Sequence, residues 1–285
     1  MLPFRSTTRL YRKAEAATRA REEILAVVSH DLRNPLSIIR MNAQFLGADA
    51  GEDKRGAQLR KQAARISRSS DLMMRLIADL LDGAKIESGT LRAEPHLEPV
   101  EALLDDALDL FRSGAREKSI QLGSDVAQRV PDVWCDRDRV LQVLSNLIGN
   151  ALKFTPPGGT IAVTAVPLTD QVQFTVADSG PGIPAEHLPH IFDRYWQPSG
   201  ARRGSAGLGL YIAKGIVEAH SGRMWVDSKP RHGAMLSFTL PAGSPAPRPE
   251  ELPISSELLG RPAPLPAASA SHQANHPHTD RSDNR

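Results

Sequence analysis

Three polar side chains that could take part in a reaction lie close together in the octet SHDLRNPL, residues 29–36: His30, Asp31 and Asn34. His30 and Asn34 are four residues apart and Asp31 and Asn34 three apart, so on a helix they share one surface region. A neutral imidazole is a nucleophile toward phosphorus, and a neighbouring carboxylate can hold its tautomer and take its ring proton. A lone helical histidine is more often an ordinary exposed residue. The surrounding octet is what favours phosphoryl chemistry at His30.

A second polar group lies in NLIGNALKFTP, residues 146–156. Asn146, Asn150 and Lys153 follow one another at spacings of four and three, which places them on one face of a helix. Amide oxygens suit Mg²⁺, and a lysine nearby can reach phosphates. An amphipathic helix with a merely polar face is an equal alternative for this motif taken alone.

Two glycine-rich segments could also contribute to nucleotide binding. DSGPGIP, residues 178–184, follows a predicted strand, where the Asp178 carboxylate could accept a hydrogen bond from an adenine amino group. GSAGLGLYIAK, residues 204–214, opens a predicted helix, whose free N–H groups could bind phosphate. The second segment has neither the P-loop pattern nor a dinucleotide fingerprint. Taken singly, they also fit a surface turn and a tight packing corner.

The segment between these two glycine motifs predicts a lid. IFDRYWQ, residues 191–197, precedes PSGARRGS, and residues 197–206 are small and polar, as expected for a mobile cover. Arg202 and Arg203 could contact phosphates there, with a solvated pair as the alternative.

The elements that must position these motifs begin with two long helices. An apolar stripe predicts helix over residues 12–47, with a bend at Pro35, and a second helix over 55–85. A short loop between them makes a helical hairpin, whose two stripes are only half covered. A second copy would close a four-helix bundle, so we expect a homodimer.

A mixed part follows a predicted linker at residues 88–100. Helix patterns and alternating strands indicate an α+β layer with a sheet on one side and helices on the other, with antiparallel strands. The predicted helices span 100–111, 136–154 and 208–220, and the strands 120–126, 160–166, 171–177, 223–227 and 234–240. Residues 242–285 are rich in Pro, Ala, Ser and His and are predicted to be disordered, with a weak metal-binding tract as the minor alternative.

Composition limits the class of protein. The 285 residues are 40% hydrophobic and 24% charged, with a net charge of +2 that does not suggest nucleic-acid binding. The single cysteine, Cys135, excludes an internal disulfide and a closed cysteine-based zinc site. No apolar run approaches the ~20 residues of a membrane span, and no signal peptide is evident. We therefore expect a soluble, cytoplasmic protein of two packed parts.

Together the motifs resemble the catalytic core of a two-component sensor histidine kinase. SHDLRNPL is similar to the H box, NLIGNALKFTP to the N box, DSGPGIP to G1, IFDRYWQ to the F box and GLGLYIAK to G2. All five occur in the family's order, and the resemblance covers about residues 20–241. Each motif is weak or moderate by itself, whereas the ordered set is highly specific.

The resemblance implies an α+β fold. A phosphoacceptor hairpin, dimerising into a four-helix bundle, would precede an α/β sandwich of the Bergerat ATP-binding type, with a disordered C-terminal tail. The implied organisation is an N-terminal extension 1–18, the hairpin 19–88, a linker 89–99, the catalytic domain 100–241 and the tail 242–285.

The resemblance also assigns roles to the matching positions. His30 would be the phosphoacceptor, Asp31 its acid–base neighbour and Asn34 a position that helps to place water for dephosphorylating the partner. Asn150 would bind Mg²⁺ with Asn146 near it, Lys153 a phosphate and Asp178 the adenine. Phe192 would help to dock the lid, and the implied nucleotide-loop residues are Gly180, Gly182, Gly207, Leu208 and Gly209.

The implied function is an ATP-dependent, Mg²⁺-dependent histidine autokinase. It would pass the phosphoryl group to a response-regulator aspartate and could also act as its phosphatase. Few residues precede the phosphoacceptor helix, so we expect either a separate sensor partner or a longer parent kinase. A non-catalytic nucleotide-binding dimeric scaffold is the alternative, and a chaperone-type or mismatch-repair-type ATPase would lack SHDLRNPL. Ser205 and Gln197 stand where the family often has glycine and arginine, which leaves the lid dynamics open.

Overall fold

A computed structural model of the chain describes residues 28–198 and 207–243. The predicted N-terminal extension, the first part of the predicted long helix, Arg202 and Arg203 of the lid, and the tail from residue 244 lie outside these described residues. No helix in the described ranges combines the length and the hydropathy needed to cross a bilayer.

The N-terminal part is a helical hairpin, as predicted. Helix α1 is described over residues 28–48, and helix α2 spans Lys54–Glu87. Asp53 caps α2 by accepting a hydrogen bond from the Gly56 N–H at 2.7 Å, which satisfies one of the free donors of the first turn. The antiparallel register is fixed by two contacts, Ser37 Oγ to Met74 Sδ at 3.8 Å and Arg40 Nη1 to Asp71 Oδ1 at 3.6 Å.

One side of the hairpin leaves large apolar side chains in solvent. On α2 these residues recur every seven positions, the spacing of a helix–helix seam. Single exposed apolar residues are ordinary, whereas a stripe of this length is typical of a protein–protein contact surface. The exposed residues are Val28, Leu32, Ile38, Ile39, Met41, Phe45 and Leu46 on α1, and Leu59, Ile66, Met73 and Leu80 on α2.

The second part is an α/β layer of three helices and seven strands within the described residues. Its helices are α3 (Val100–Glu117), α4 (Arg137–Phe154) and α5 (Gly209–Ala219), with a short 3₁₀ turn at Leu188–His190. Its strands are β1 (His96–Glu98), β2 (Gln121–Val126), β3 (Val133–Cys135), β4 (Thr160–Pro167), β5 (Gln171–Asp178), β6 (Met224–Ser228) and β7 (Ala234–Pro241).

Five of these strands form one sheet in the order β2-β4-β5-β7-β6. The antiparallel pairing expected for β4 and β5 is confirmed, with Val163 opposite Val176. The expectation of an all-antiparallel sheet is wrong at one edge, because β2 runs parallel to β4. The whole of α3 precedes β2 and a second helix, α4, separates β2 from β4, so the chain has the long crossover that a parallel pair requires.

A separate two-stranded ribbon pairs β1 with β3. The strand β1 lies inside the segment predicted to be a linker, and Leu91 already packs against the domain core. Residues 88–90 donate their N–H groups back to carbonyls of the last turn of α2, so the junction between the hairpin and the second part is short. At the other end, Ala242 bridges to Val133 and the Gly243 N–H donates to the Asp132 carbonyl at 2.8 Å, so the first two residues of the predicted tail are ordered.

The core lies between the sheet and the three helices. Alternate residues of β4 and β5 face inward, and Phe174 stacks on Phe238 with ring centroids 4.9 Å apart. Cys135 is buried in this core, and burial raises the pKa of its thiol to about 12. The thiol is therefore protonated and unreactive, in line with a packing role.

Candidate functional site

The polar face of α4 lines a cavity of about 490 Å³. Asn146, Asn150 and Lys153 all reach it, as their spacing predicts. The opposite face of α4 is fully buried in the core through Leu144 and Ile148, which fixes the rotation of the helix. Burial of the apolar face of α4 thus orients its polar face toward the cavity.

The cavity is closed on a second side by the start of α5. The Asn146 side chain donates from Nδ2 to the Gly209 carbonyl at 3.1 Å, which joins α4 to the first turn of α5. Gly207 and Gly209 also line the cavity, whereas Leu208 is buried in the core. Leu208 therefore anchors this segment, and its glycine neighbours present backbone to the site.

Asp178 ends β5 and points a carboxylate into the cavity. Burial raises the pKa of Asp178, and hydrogen bonds from the backbone N–H groups of Gly180 and Ala234 oppose that shift. The Gly180 N–H lies 2.8 Å from Oδ1, so Gly180 positions the carboxylate and is not itself a lining residue. A partly desolvated, oriented carboxylate is suited to accept a hydrogen bond from a planar amino group.

Two glycines allow backbone to approach backbone beside the cavity. Gly182 has φ +72°, and a Cβ there would collide with the Lys229 carbonyl. Gly207 has φ +69°, and a Cβ there would lie 2.6 Å from the Trp196 carbonyl oxygen. The residues on either side of the predicted lid are thus held together, while lid residues 199–206 lie outside the described part of the chain.

Phe192 does not line the cavity. Its ring is partly buried against the core, and the Lys214 ammonium lies 5.7 Å from the ring centroid. The side chains near the lid that do line the cavity include His187 and Trp196, whose rings meet edge to face at 5.3 Å. Sequence reasoning gave neither of them a role, although Trp196 belongs to the IFDRYWQ motif.

The residues present fit a magnesium ion that arrives with a polyphosphate. Among the described residues there is no cluster of three or more His, Cys, Asp or Glu side chains, so a preformed all-protein metal cage is not built here. Mg²⁺ usually keeps several waters and takes one or two protein ligands together with phosphate oxygens. The Asn150 amide oxygen in the cavity can supply such a ligand, and Lys153 can supply positive charge.

The predicted phosphoacceptor group lies on α1, outside the cavity. His30 Nδ1 is 3.3 Å from Asp31 Oδ1, and both side chains are 71% exposed. Asn34 is exposed as well. The structure thus places the histidine and its carboxylate neighbour side by side in solvent, where a second domain can reach them.

Helix α2 separates His30 from the cavity. Its residues Leu72 and Leu76 line the cavity, while Met74 faces α1. At ~100° per residue, two steps from Met74 reach the opposite side of the helix. The α1–α2 register puts His30 level with Leu81, so the histidine and the cavity lie at similar height but on opposite sides of α2.

The contribution of α2 to the cavity was not predicted. Its lining residues are Leu72, Arg75, Leu76 and Asp79, one helical face distinct from the exposed seam. The sequence signal was a second apolar spacing, Leu72, Leu76, Gly83 and Ile86. That spacing was masked because the stronger seam pattern accounted for α2 by itself.

Comparisons with known proteins match both parts of the chain. Residues 20–89 match the family model of the His Kinase A (phospho-acceptor) domain. Residues 135–244 match the model of the histidine kinase-, DNA gyrase B- and HSP90-like ATPase. The two matches contain the hairpin motif and the four cavity motifs respectively.

Curated relatives and a solved structure align across both parts. Adaptive-response sensory kinase SasA of Rippkaea orientalis is 36% identical over 76% of this chain and 57% of its own length. SasA of Synechococcus elongatus is 35% identical over 81% of this chain and 62% of its own. The crystal structure of full-length ShkA in complex with AMPPNP superposes with a TM-score of 0.66 at 30% identity, over 79% of this chain and 47% of that one. The chain thus spans less than two thirds of the length of these relatives.

Proposed function

Since the chain belongs to the two-component sensor histidine kinases, we propose that it is an ATP-dependent protein histidine autokinase that phosphorylates His30. One observation carries the proposal. A single chain joins a solvent-exposed His30–Asp31 pair to a cavity whose walls carry Asn150 and Asp178. This arrangement supports the proposal because it offers a candidate acceptor and a candidate nucleotide site in one chain.

In this proposal ATP occupies the 490 Å³ cavity. Asp178 accepts a hydrogen bond from the adenine amino group, and Asn150 and Lys153 lie along the phosphates. The fold family implies Mg²⁺, which Asn150 would hold and which would neutralise charge on the polyphosphate. The AMPPNP complex of ShkA supports a nucleoside triphosphate in this domain type.

The pair on α1 supplies the nucleophile. If His30 donates its Nδ1 proton toward Asp31, the Nε2 lone pair is free for in-line attack on the γ-phosphorus. The N–P bond forms as the bond to the β,γ-bridging oxygen breaks, and ADP leaves. The ring becomes cationic, Asp31 stabilises that charge, and the proton is then lost to Asp31 or to water. Positioning and charge neutralisation supply most of the rate.

Transfer within one chain requires the ATPase domain to leave α2, because that helix lies between the cavity and His30 of the same chain. The junction at residues 88–90, between the end of α2 and Leu91 of the ATPase domain, is the point at which we expect the domain to turn. Whether the cavity then serves its own His30 or that of a second copy depends on the hairpin loop at residues 49–53.

We further propose a homodimer, built on the exposed seam of the hairpin, and a response-regulator receiver domain as the acceptor of the phosphoryl group. Asn34, exposed one turn after His30, would orient a water that hydrolyses the phosphoryl group on that regulator and releases phosphate. A supply of ATP implies a cytoplasmic location for these domains. The domain boundaries predicted from the sequence are kept in this proposal, except that Leu91 and β1 join the ATPase domain at one end and residues 242–243 at the other.

The test is incubation of the purified chain with γ-labelled ATP and Mg²⁺. We expect acid-labile, alkali-stable label that His30→Gln abolishes without loss of nucleotide binding. His96→Gln, an exposed histidine on β1, is the matched control and should label normally. Asn150→Asp should weaken nucleotide binding and raise the Mg²⁺ requirement. Nucleotide binding without any label would instead favour a non-catalytic scaffold.

A further inference from the structure

The cavity is lined by the hairpin as well as by the ATPase domain. From α2, Arg75 and Asp79 stand one turn apart and both line it. A hairpin helix is therefore in a position to touch whatever the ATPase domain binds. This arrangement depends on how firmly α2 is held there.

A buried polar cluster holds α2 against the ATPase domain. Asp82, 6% exposed, accepts from Arg139 Nη1 at 3.0 and 2.9 Å and from Gln142 Nε2 at 2.7 Å. Both donors belong to α4. A charged, nearly dry side chain with three hydrogen bonds is costly to leave unpaired, so the cluster fixes the register between the helices.

Further contacts continue the same interface toward the C-terminal end of α2. Ile86 covers Gly215 of α5 so closely that a Cβ on that glycine would lie 2.5 Å from the Ile86 Cδ1. Glu87 Oε2 accepts from Arg194 Nη1 at 2.6 Å. Apolar and charged contacts thus flank the Asp82 cluster on one continuous side of α2.

From this anchor the two helices run along the cavity together. On α4 the residues after Gln142 on the same side are Asn146 and Asn150, both of which line the cavity. On α2 the charged lining residues that precede Asp82 are Asp79 and Arg75. The two helices are therefore antiparallel across the cavity, with Arg75 toward the Asn150 end and Asp79 toward the Asn146 end.

The charges of these two residues are not cancelled by a direct ion pair. Within the described ranges neither Arg75 nor Asp79 has an ion-pair partner within 4.0 Å. Burial, together with the nearby Asp82 carboxylate, raises the pKa of Asp79 to about 6, against a lowering effect of Arg75. Asp79 is thus an unfavourably placed carboxylate, and Arg75 an unpaired cation, on the wall of the same cavity.

We propose that the nucleotide site is composite, with α2 as a wall on which Arg75 binds the polyphosphate of the nucleotide and Asp79 opposes it. The inference rests on the proposed nucleotide function of the cavity. A guanidinium binds phosphate oxygens as a planar donor, and a carboxylate at the same wall repels them. A nucleotide in the cavity therefore contacts the hairpin directly. Removing the charge of Arg75 and removing the charge of Asp79 must change the nucleotide affinity in opposite directions.

The test measures the affinity of the full chain for Mg²⁺-ADP and for a non-hydrolysable ATP analogue by calorimetry at pH 7.5. Arg75→Gln should weaken binding of the analogue about fivefold, and Asp79→Asn should tighten it about threefold. Arg65→Gln, an exposed arginine two to three turns earlier on α2, is the matched control and should change nothing.

A further variant, Asp82→Arg, tests whether the affinity changes caused by Arg75→Gln and Asp79→Asn require α2 to be packed against α4. Asp82→Arg repels Arg139 and releases α2, and both effects should then disappear. The exchange Asp82→Arg with Arg139→Asp restores the pair and should restore them. Nucleotide binding by wild type with no response to Arg75→Gln or Asp79→Asn, or with an unchanged response in the Asp82→Arg background, overturns the composite site alone. Absence of nucleotide binding by wild type overturns the proposed function with it.

Discussion

Asp82 on α2 and Arg139 on α4 are joined through Nη1 to both carboxylate oxygens, at 3.0 and 2.9 Å. This bond holds the ATPase domain on the side of the hairpin that faces away from His30. It therefore stabilises an arrangement in which transfer to the same chain's histidine cannot take place, and in the proposed function transfer within one chain requires release of α2.

Breaking that bond should speed autophosphorylation. Asp82→Arg penalises only the docked arrangement, since both charged groups are solvated after release, so the population of released domain rises. We expect the initial rate of His30 labelling at saturating ATP to increase about threefold to tenfold. The exchange with Arg139→Asp should return the rate toward wild type. A lower labelling rate in Asp82→Arg, with nucleotide still saturating, would show that docking on α2 assists transfer.

Asn146 supports the site through the bond to the Gly209 carbonyl. Asn146→Ala removes that donor, so the first turn of α5 loses its hydrogen bond to α4. A cost of about 1 kcal/mol corresponds to a roughly fivefold loss of nucleotide affinity, measured by titration of the purified chain. Gln121→Ala on the exposed edge of β2 is the control. An unchanged nucleotide affinity in Asn146→Ala would show that this residue does not support the nucleotide site.

Asp178 should decide which base is bound. Asp178→Asn replaces a charged acceptor by a neutral amide, and a hydrogen bond to a charged group is worth about 1.5–3 kcal/mol. ATP affinity should fall about tenfold or more, and the preference for ATP over GTP should shrink. Asp193→Asn, an exposed carboxylate near the lid, should keep both properties. Equal loss of ATP and GTP binding would indicate that Asp178 is needed for folding of the loop and not for base recognition.

The raised pKa of Asp79 makes stability depend on pH. Its pKa is 3.8 in the unfolded chain and about 6 in the folded protein, so the folded state binds the proton more tightly. The stability that this proton contributes is present below pH ~4 and is lost as the pH rises through about 6. The shift corresponds to about 3 kcal/mol at most, which partial exposure of the side chain reduces to about 1 kcal/mol.

Asp79→Asn should therefore stabilise the chain by about 1 kcal/mol at pH 7.5, a rise in Tm of about 2–4 °C, and by much less near pH 4. Thermal melts of both proteins across this pH range provide the measurement. A difference in Tm that is the same at pH 4.5 and pH 7.5 would mean that Asp79 carries no raised pKa.

The exposed seam predicts the oligomeric state. Ile66 lies in the stripe of apolar residues that recurs every seven positions on α2, so Ile66→Lys places a charge in the seam of the proposed bundle. We expect a dimer that becomes monomeric, by light scattering after gel filtration. Arg68→Gln, exposed outside the stripe, should remain dimeric. A wild-type chain that is monomeric at micromolar concentration contradicts the seam.

Much of the site could be predicted because its residues carry their information locally. The spacing of Asn146, Asn150 and Lys153 fixed one helix face, and the cavity lies on that face. The glycines at 182 and 207 were recognisable from the glycine-rich motifs that contain them. The structure gives the reason for glycine, because a side chain would not fit at either backbone position.

The features that escaped prediction depend on partners distant in sequence. The three-residue strands β1 and β3 are too short to show alternation, and the parallel pairing of β2 with β4 leaves no mark on either strand's own pattern. Asp82 has the appearance of a solvent-facing helical carboxylate until Arg139, 57 residues away, is placed beside it. The face of α2 that packs against α4 and α5 was not predicted, for the same reason.

The most direct test of the account is the fate of the γ-phosphoryl group. Wild-type chain is mixed with a slight excess of Mg²⁺-ATP, and the alkali-stable phosphopeptides are mapped by tandem mass spectrometry while ADP is quantified. The account predicts one phosphoryl group on His30 for each ADP formed at early times, and none elsewhere. A phosphoryl group on another residue, or ADP released with only free phosphate as its counterpart, would contradict it.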